Sequence, residues 1–377
     1  MKIPFNKSYV TKKDVENVKV SMIKESLEGG EKRSSNRCIE YIEKNFSVNC
    51  CLLTTSCTSA LDLSALILQL KPGDEIIMPS YTFVSTANAF VLRGCKPVFV
   101  DIGSDDLNLN MDLVEEAITK KTKALVVVHY AGIACEMSKA IEICKKHNLF
   151  LIEDAAQAIG SKYKDKFLGS LGDLGTLSFH GTKNITCGEG GALLINKNKY
   201  LEKARIIFHK GTNRHNFATG KASKYNWRNV GSSFTLSNFS ASLLIMQLKN
   251  HENINKERLK IWVKYNNFFS SLKDFQNKYR LLKIPSYATH NGHLFSLIFR
   301  SKKIADNFSK LMRSEGYEVS KHYVALHSSP YGKKVSKTFG NLLNTKEAED
   351  CSVRIPLWPG IKPDKMLEFS SKIIKQI

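Results

Sequence analysis

The sequence predicts an α/β protein: a mainly parallel central sheet with helices on both faces, followed by a smaller α+β C-terminal part. Three observations carry that expectation. Between residues 51 and 195, short β-branched runs alternate with helical patterns, the rhythm of strands joined by crossover helices. A chain of 377 residues with 42% hydrophobic content is long enough to build one large and one smaller core. After Lys283 the order becomes strand, helix, strand, which suggests a separate small unit.

The predicted strands are 51–55, 75–78, 98–100, 124–128, 150–152, 176–178 and 192–195, and the helical stretches between them include 59–70, 111–117 and 137–146. Pro72-Gly73 supplies a turn before the second strand, and Lys145-Lys146-His147 gives a basic helix end before the fifth. From 203 to 224 the pattern degrades into a polar loop with Arg205 and Arg214, long enough to suggest function. A long helical pattern from 237 to 258 and beyond leads into the smaller unit, where 294–299 reads as a strand, 304–315 as a helix, 317–323 as a strand, and the end as a helix. The expected division is residues 1–250 and 251–377.

The formal charge of +21 invites a nucleic-acid-binding reading, but the lysines are spread along the chain rather than gathered in a stripe. A milder reading is attraction of an anionic substrate. The longest apolar stretches fall well short of the roughly 18–20 residues of a membrane span. The first residues lack a signal-peptide core, so the expected location is the cytoplasm. Nine cysteines without a C-x-x-C indicate neither zinc nor a disulfide framework.

In an open α/β sheet, ligands bind at the carboxyl ends of the strands. Two segments there carry chemistry: Ser178-Phe-His-Gly-Thr-Lys183-Asn-Ile-Thr-Cys-Gly-Glu-Gly-Gly191 and, upstream, Glu153-Asp-Ala-Ala-Gln157. A lysine flanked by small and hydroxyl residues, with an acidic residue ending a neighbouring strand, suits pyridoxal 5′-phosphate. That cofactor needs an amine for its aldehyde, a carboxylate for its pyridine nitrogen and a phosphate cradle. Lys183, Asp154 and Ser178 are the respective candidates, with Glu153 the nearby rival to Asp154. Cys57-Thr58-Ser59 opens a helix after the first strand and so offers an anion site. Gln157 is a hydrogen-bond candidate for the cofactor's 3′-oxygen, and His180 a candidate to guide substrate or tune the lysine.

The Lys183 and Asp154 segments together resemble the sugar-nucleotide aminotransferases of the DegT/StrS type. Thr55-Ser-Cys-Thr-Ser-Ala-Leu61, the run from Pro72 to Arg93, Val128-His-Tyr-Ala-Gly132, Lys210-Gly-Thr-Asn-Arg214, and His322-Tyr323 with Leu326-His327 follow in register. The likeness spans essentially the whole chain and is strongest to dTDP-4-dehydro-6-deoxyglucose 4-aminotransferases, which serve surface polysaccharides such as the O-antigen of lipopolysaccharide.

The resemblance implies the aspartate aminotransferase-type fold, with Lys183 as the catalytic residue holding the cofactor aldehyde. It implies Cys57, Thr58 and Ser178 at the phosphate, Phe83 stacked on the ring and Asp154 at the ring nitrogen, while Ser233, a cofactor-binding candidate, stands where the family's asparagine reaches the partner subunit's phosphate and can still donate a hydrogen bond. It places Lys210, Arg214, Arg228, His322, Tyr323 and His327 around the interface and substrate cleft. The implied partners are a dTDP-linked keto-sugar, L-glutamate and a second copy of the chain in a homodimer with shared sites. The chain departs from the wider family at Gly231-Ser-Ser233, where many members have asparagine at the third position, and at Asn238, which replaces an aspartate. An alternative on the same fold is amination at C3 or of another nucleotide sugar. Related dehydratases carry histidine where this chain has Lys183.

Overall fold

The computed structural model describes residues 2–30, 32–272 and 277–377. The strands in chain order are β1 Cys50–Thr54, β2 Glu75–Pro79, β3 Lys96–Val100, β4 Thr122–Val128, β5 Phe150–Asp154, β6 Lys162–Tyr163, β7 Lys166–Phe167, β8 Leu174–Ser178, β9 Gly191–Ile195, β10 Tyr279–Leu281, β11 Ala288–Thr289, β12 Phe295–Phe299, β13 Lys337–Thr338 and β14 Ser352–Ile355. Eight of them form the main sheet, in the order β1-β9-β8-β5-β4-β2-β3-β13. Only β9 runs against its neighbours, so β1, β2, β4, β5 and β8 end on the same edge. That edge carries the residues the sequence singles out.

The sheet separates two apolar layers because successive strand residues face opposite sides. On β4, Leu125 and Val127 join one cluster with Ile42, Met137 and Leu244, while Ala124 and Val126 join the other with Leu61, Phe90 and Ile207. Both faces are therefore covered by helices, and the strands read as near-continuous apolar runs. The helix Cys57–Ile67 packs on the second face directly after β1, which fixes its N-terminus at the carboxyl edge.

Three expectations need correction. The 203–224 stretch is not a continuous loop: Leu201–Phe208 and Arg214–Ala218 are helical. The first of these buries Ala204, Ile207 and Phe208 against the sheet, a stripe hidden among basic residues in the sequence. The long helix from 237 is two helices, Asn238–Lys249 and His251–Ser271, broken at Asn250. The 317–323 segment is no strand: Tyr317 bridges Ile3 and Ser320 bridges Arg354 singly, and the chain then turns so that His322 and Tyr323 reach the site. Its place in the small sheet, ordered β10-β12-β14, is taken by β14.

The small sheet packs with the helices Lys302–Ser314 and Asp364–Gln376 around Phe269, Phe295, Phe299, Phe308 and Ile373. The halves are laced together. β13 adds to the main sheet beside β3, and β11 pairs with β6. Residues 3–8 run the other way. Ile3 bridges Tyr317, the Trp358 indole donates to Pro4 O at 3.1 Å, Asn6 Nδ2 donates to Thr182 O at 3.2 Å and Ser8 Oγ to Gly181 O at 2.7 Å.

Candidate active site

A cavity of about 670 Å³ opens at the carboxyl edge, lined among others by Cys57, Thr58, Phe83, Asp154, Gln157, Ser178, His180, Lys183, His322 and Tyr323. Ten of the sequence-derived site residues thus meet in one place, though they come from separate turns of the chain.

Asp154 ends β5 and is only 5% exposed. Its Oδ2 accepts from Thr86 Oγ1 at 2.7 Å and its Oδ1 from the Ala156 N–H at 3.2 Å. The rival Glu153 points to the opposite side of the sheet, as strand alternation requires. Its carboxylate accepts from the N–H groups of Gly169, Leu171 and Gly172 and lies 3.0 Å from His129 Nε2. That leaves Asp154 as the carboxylate facing the cavity.

Lys183 sits on the turn after β8, its N–H donating to His180 O at 2.9 Å. Burial holds its amine below the ordinary lysine value, with Asp154 opposing and Arg354 adding to the effect. A larger fraction of neutral amine follows, as a nucleophile or base requires. His180 stays near the mouth, with Nδ1 2.8 Å from Thr182 Oγ1 and Nε2 3.3 Å from Glu189.

At the N-terminus of the helix Cys57–Ile67, Ser56 Oγ accepts the Ser59 N–H at 3.0 Å and Ser56 O takes that of Ala60. The N–H groups of Cys57 and Thr58 remain at the helix end, as first-turn donors do. Gly191 lets this end approach β9: a Cβ there would lie 2.4 Å from Cys57 N. Thr58 Oγ1 is 2.7 Å from Ser85 Oγ, tying this turn to the one after β2. Burial raises the Cys57 thiol, so it is a small wall residue rather than a nucleophile. Helix end, hydroxyls, buried carboxylate and enclosed amine match the three demands of pyridoxal phosphate, and the residues fit it.

Phe83 is 58% exposed and faces the cavity, 6.5 Å from the Tyr323 ring. Gln157 is more committed than the sequence suggests, since its Oε1 accepts from the Ala131 N–H and its Nε2 donates to Tyr323 OH, both at 2.7 Å. His322 stacks on Tyr323 at 3.7 Å, with Nδ1 2.9 Å from Tyr130 OH. Burial and nearby cations push His322 and His293 well below the ordinary imidazole value, which favours the neutral form of each.

Five sequence-derived residues lie elsewhere. Lys210, Arg214, Arg228 and Ser233 are exposed on the 209–233 segment, outside the cavity of the single chain. His327 is turned to Ser80, with Nδ1 2.8 Å from its Oγ, and holds the turn after β2. Conversely, sequence reasoning missed Phe5, Asn6, Thr86, Arg258, His293 and Arg354, all on the cavity wall. Only Arg354 left a signal: a charge in the apolar run Ser352-Val-Arg-Ile355.

Asn238 now has an account. Its Oδ1 accepts from the Ser35 N–H at 3.1 Å, while Nδ2 donates to Glu25 Oε2 and Ser26 O, both at 2.9 Å. An aspartate would set a second carboxylate against Glu25.

Comparison with known proteins agrees with this geometry. An uncharacterized protein of Methanocaldococcus jannaschii is 32% identical over 89% of this chain and 86% of its own length. The spore coat polysaccharide biosynthesis protein SpsC of Bacillus subtilis is 29% identical over 96% of this chain and 94% of its own. Among solved structures, the putative sugar aminotransferase Spr1654 from Streptococcus pneumoniae in its PMP form superposes with a TM-score of 0.91 at 22% identity, covering 100% of this chain and 98% of that one. The fold is that of the PLP-dependent aminotransferases. With residues 13–373 matched by the family profile, the chain belongs to the DegT/DnrJ/EryC1/StrS aminotransferase family.

Proposed function

We propose that the protein is a pyridoxal phosphate-dependent transaminase that moves an amino group from L-glutamate to C4 of dTDP-4-dehydro-6-deoxy-D-glucose. The product is a dTDP-4-amino-4,6-dideoxyhexose, galacto favoured over gluco, made in the cytoplasm for a surface polysaccharide. The observation that carries the chemistry is the meeting of the Lys183 amine, buried Asp154 and the helix end at Cys57 and Thr58 in one cavity. The substrate rests on the chain-long sequence resemblance, and a relative named for polysaccharide biosynthesis supports its class.

Bound there, the cofactor supplies an aldehyde for amines and a ring that accepts the electron pair left when a neighbouring C–H is deprotonated. The chain supplies the rest. The helix end and the Thr58 and Ser178 hydroxyls hold the phosphate. Asp154 keeps a positive charge on the ring nitrogen, and Thr86 fixes that carboxylate. Phe83 offers an aromatic face. The Lys183 amine takes the proton from Cα of the donor in the first half-reaction and delivers one to C4 of the sugar in the second.

The active form is a homodimer. Val15, Met22 and Ile23 on the helix Lys12–Lys24, and Phe217, Tyr225 and Trp227 further along the chain, are exposed apolar side chains in the single chain, Trp227 at 82%, as residues covered by a partner would be. Lys210, Arg214, Arg228 and Ser233 belong to the same stretch as these aromatics, which suits a role at the partner's cavity. We take residues 1–250 and 251–377 as the two domains, each with its own core.

Incubation with L-glutamate and dTDP-4-dehydro-6-deoxyglucose tests the reading. NMR of the product should place nitrogen on C4, and faster turnover of the 3-keto isomer would overturn the assignment.

A further inference from the structure

His293 lines the cavity from the turn before β12 and is held at both its backbone and its ring. Arg258, 2% exposed, donates from Nη2 to His293 O at 2.6 Å and from Nε to Gly292 O at 3.1 Å. The ring meets Asn184, the residue after Lys183, whose Oδ1 lies 2.9 Å from His293 Nδ1. The hydrogen bonds around Asn184 decide which atom donates. Asn255 Nδ2 donates to Ile159 O at 2.9 Å, which turns Asn255 Oδ1 toward Asn184. Asn184 Nδ2 donates to that oxygen at 2.9 Å and to Asn291 O at 3.0 Å. Both amides are thereby oriented, Asn184 presents its oxygen, and His293 Nδ1 carries the proton.

Burial, and then the charges of Lys183, Arg258 and Arg354, favour the neutral form of His293. With its single ring proton on Nδ1, Nε2 is a bare acceptor. It has no hydrogen-bond partner among the described residues, and the edge of the ring that carries it is the part left to the cavity. Other side-chain acceptors on this wall are already committed. Asp154 faces the ring nitrogen of the cofactor, Gln157 Oε1 is taken by the Ala131 N–H, Glu189 lies 3.3 Å from His180 at the mouth, and Asn6 Oδ1 is itself buried. An oriented, open acceptor in a cavity otherwise lined with cations and hydroxyls calls for a ligand that brings a hydrogen-bond donor.

We infer that His293 is a specificity-determining residue for the keto-sugar, its Nε2 accepting a hydrogen bond from the hydroxyl on C3. The inference rests on the C4-transaminase reading. L-Glutamate has no hydroxyl, and its one donor group is the amine that reacts, so the acceptor has no task in the first half-reaction. The sugar brings two ring hydroxyls, on C2 and C3. Through Asn184 the imidazole is tied to the residue next to Lys183, which acts at C4, and the C3 hydroxyl is the one on the adjoining carbon. A site shaped to accept a hydroxyl proton rejects a ligand that lacks it, because the acceptor is then left unpaired.

The test uses the holoenzyme charged with L-glutamate and then mixed with dTDP-4-dehydro-6-deoxyglucose or with its 3-deoxy analogue, following the return of visible absorbance. Wild type should prefer the hydroxylated sugar in kcat/KM by about 5–100-fold, the loss expected when one buried acceptor goes unpaired. His293→Phe should lower kcat/KM for the hydroxylated sugar by a similar factor, leave the 3-deoxy analogue within about threefold, and so erase the preference. Its glutamate half-reaction should change far less than its sugar half-reaction. His293→Gln, which returns an acceptor to that end of the side chain, should recover part of the preference. The wild-type comparison needs no variant and stands even if His293→Phe fails to fold. A wild type indifferent to the C3 hydroxyl, a His293→Phe protein that keeps the full preference, or equal damage to both half-reactions would each overturn the role of His293. A wild type that is charged by glutamate but aminates neither sugar would overturn the substrate reading, and the assigned hydroxyl with it.

Discussion

Asp154→Asn removes a charge while barely disturbing the shape around it. The carboxylate is 5% exposed and accepts two hydrogen bonds, from Thr86 Oγ1 and the Ala156 N–H. Asparagine keeps its oxygen toward Ala156 and turns its amide toward Thr86. The Thr86 hydroxyl lies 2.8 Å from Thr82 Oγ1 and can donate there instead. The cofactor-free variant should therefore unfold within about 1 kcal/mol of wild type, the size of one neutral hydrogen bond. Opposite the ring nitrogen the loss is larger, because a buried positive charge deprived of its partner costs about 3–5 kcal/mol. If that full cost appears in the barrier, turnover falls roughly a hundred- to several-thousandfold. Stopped-flow measurement of the glutamate half-reaction at saturating cofactor, with occupancy measured separately, isolates the effect. Restoration of the rate by excess cofactor would show that Asp154 only helps binding and would refute its role as counter-charge.

Gly191→Ala would put a methyl group 2.4 Å from Cys57 N. Overpacking of that kind costs about 1–3 kcal/mol, so equilibrium dialysis should show cofactor affinity reduced about ten- to a hundredfold, and unchanged affinity would mean that the helix end is not the cradle. Asn238→Asp should destabilise the fold by about 1–3 kcal/mol in urea titration, and Glu25→Gln should recover most of that in the double variant. If Glu25→Gln adds a second, independent loss, the two residues are not coupled as described. In the cofactor-free protein, burial depresses the Lys183 amine, so between its native value and the unfolded one the unfolded chain binds more protons and stability rises with pH. Lys183→Met should therefore be the more stable protein at neutral pH, with the difference shrinking toward pH 10.5; a gap that widens with pH would contradict the assigned burial.

The parallel strands and the pair Lys183 and Asp154 were legible in the sequence because each is a local pattern: a short apolar run that ends in a chemically committed residue. What stayed hidden depends on distant partners. The helix Leu201–Phe208 is too short for its buried stripe to stand out among Lys203 and Arg205. Arg354 enters the cavity only because β14 pairs with β12 and the Phe5 segment crosses from the other end of the chain. Asn238 is explained by Glu25, 213 positions away. Glu153 and Asp154 are adjacent in sequence, and the pleat of β5 separates their roles.

Lys183 as the amine that holds the cofactor is tested most directly by borohydride reduction of the holoenzyme, proteolysis and peptide mass spectrometry. Visible absorbance should be lost and one phosphopyridoxyl group should appear on the Lys183 side chain, with none in Lys183→Ala. A reduced adduct on any other lysine, with Lys183 unmodified, would contradict the account.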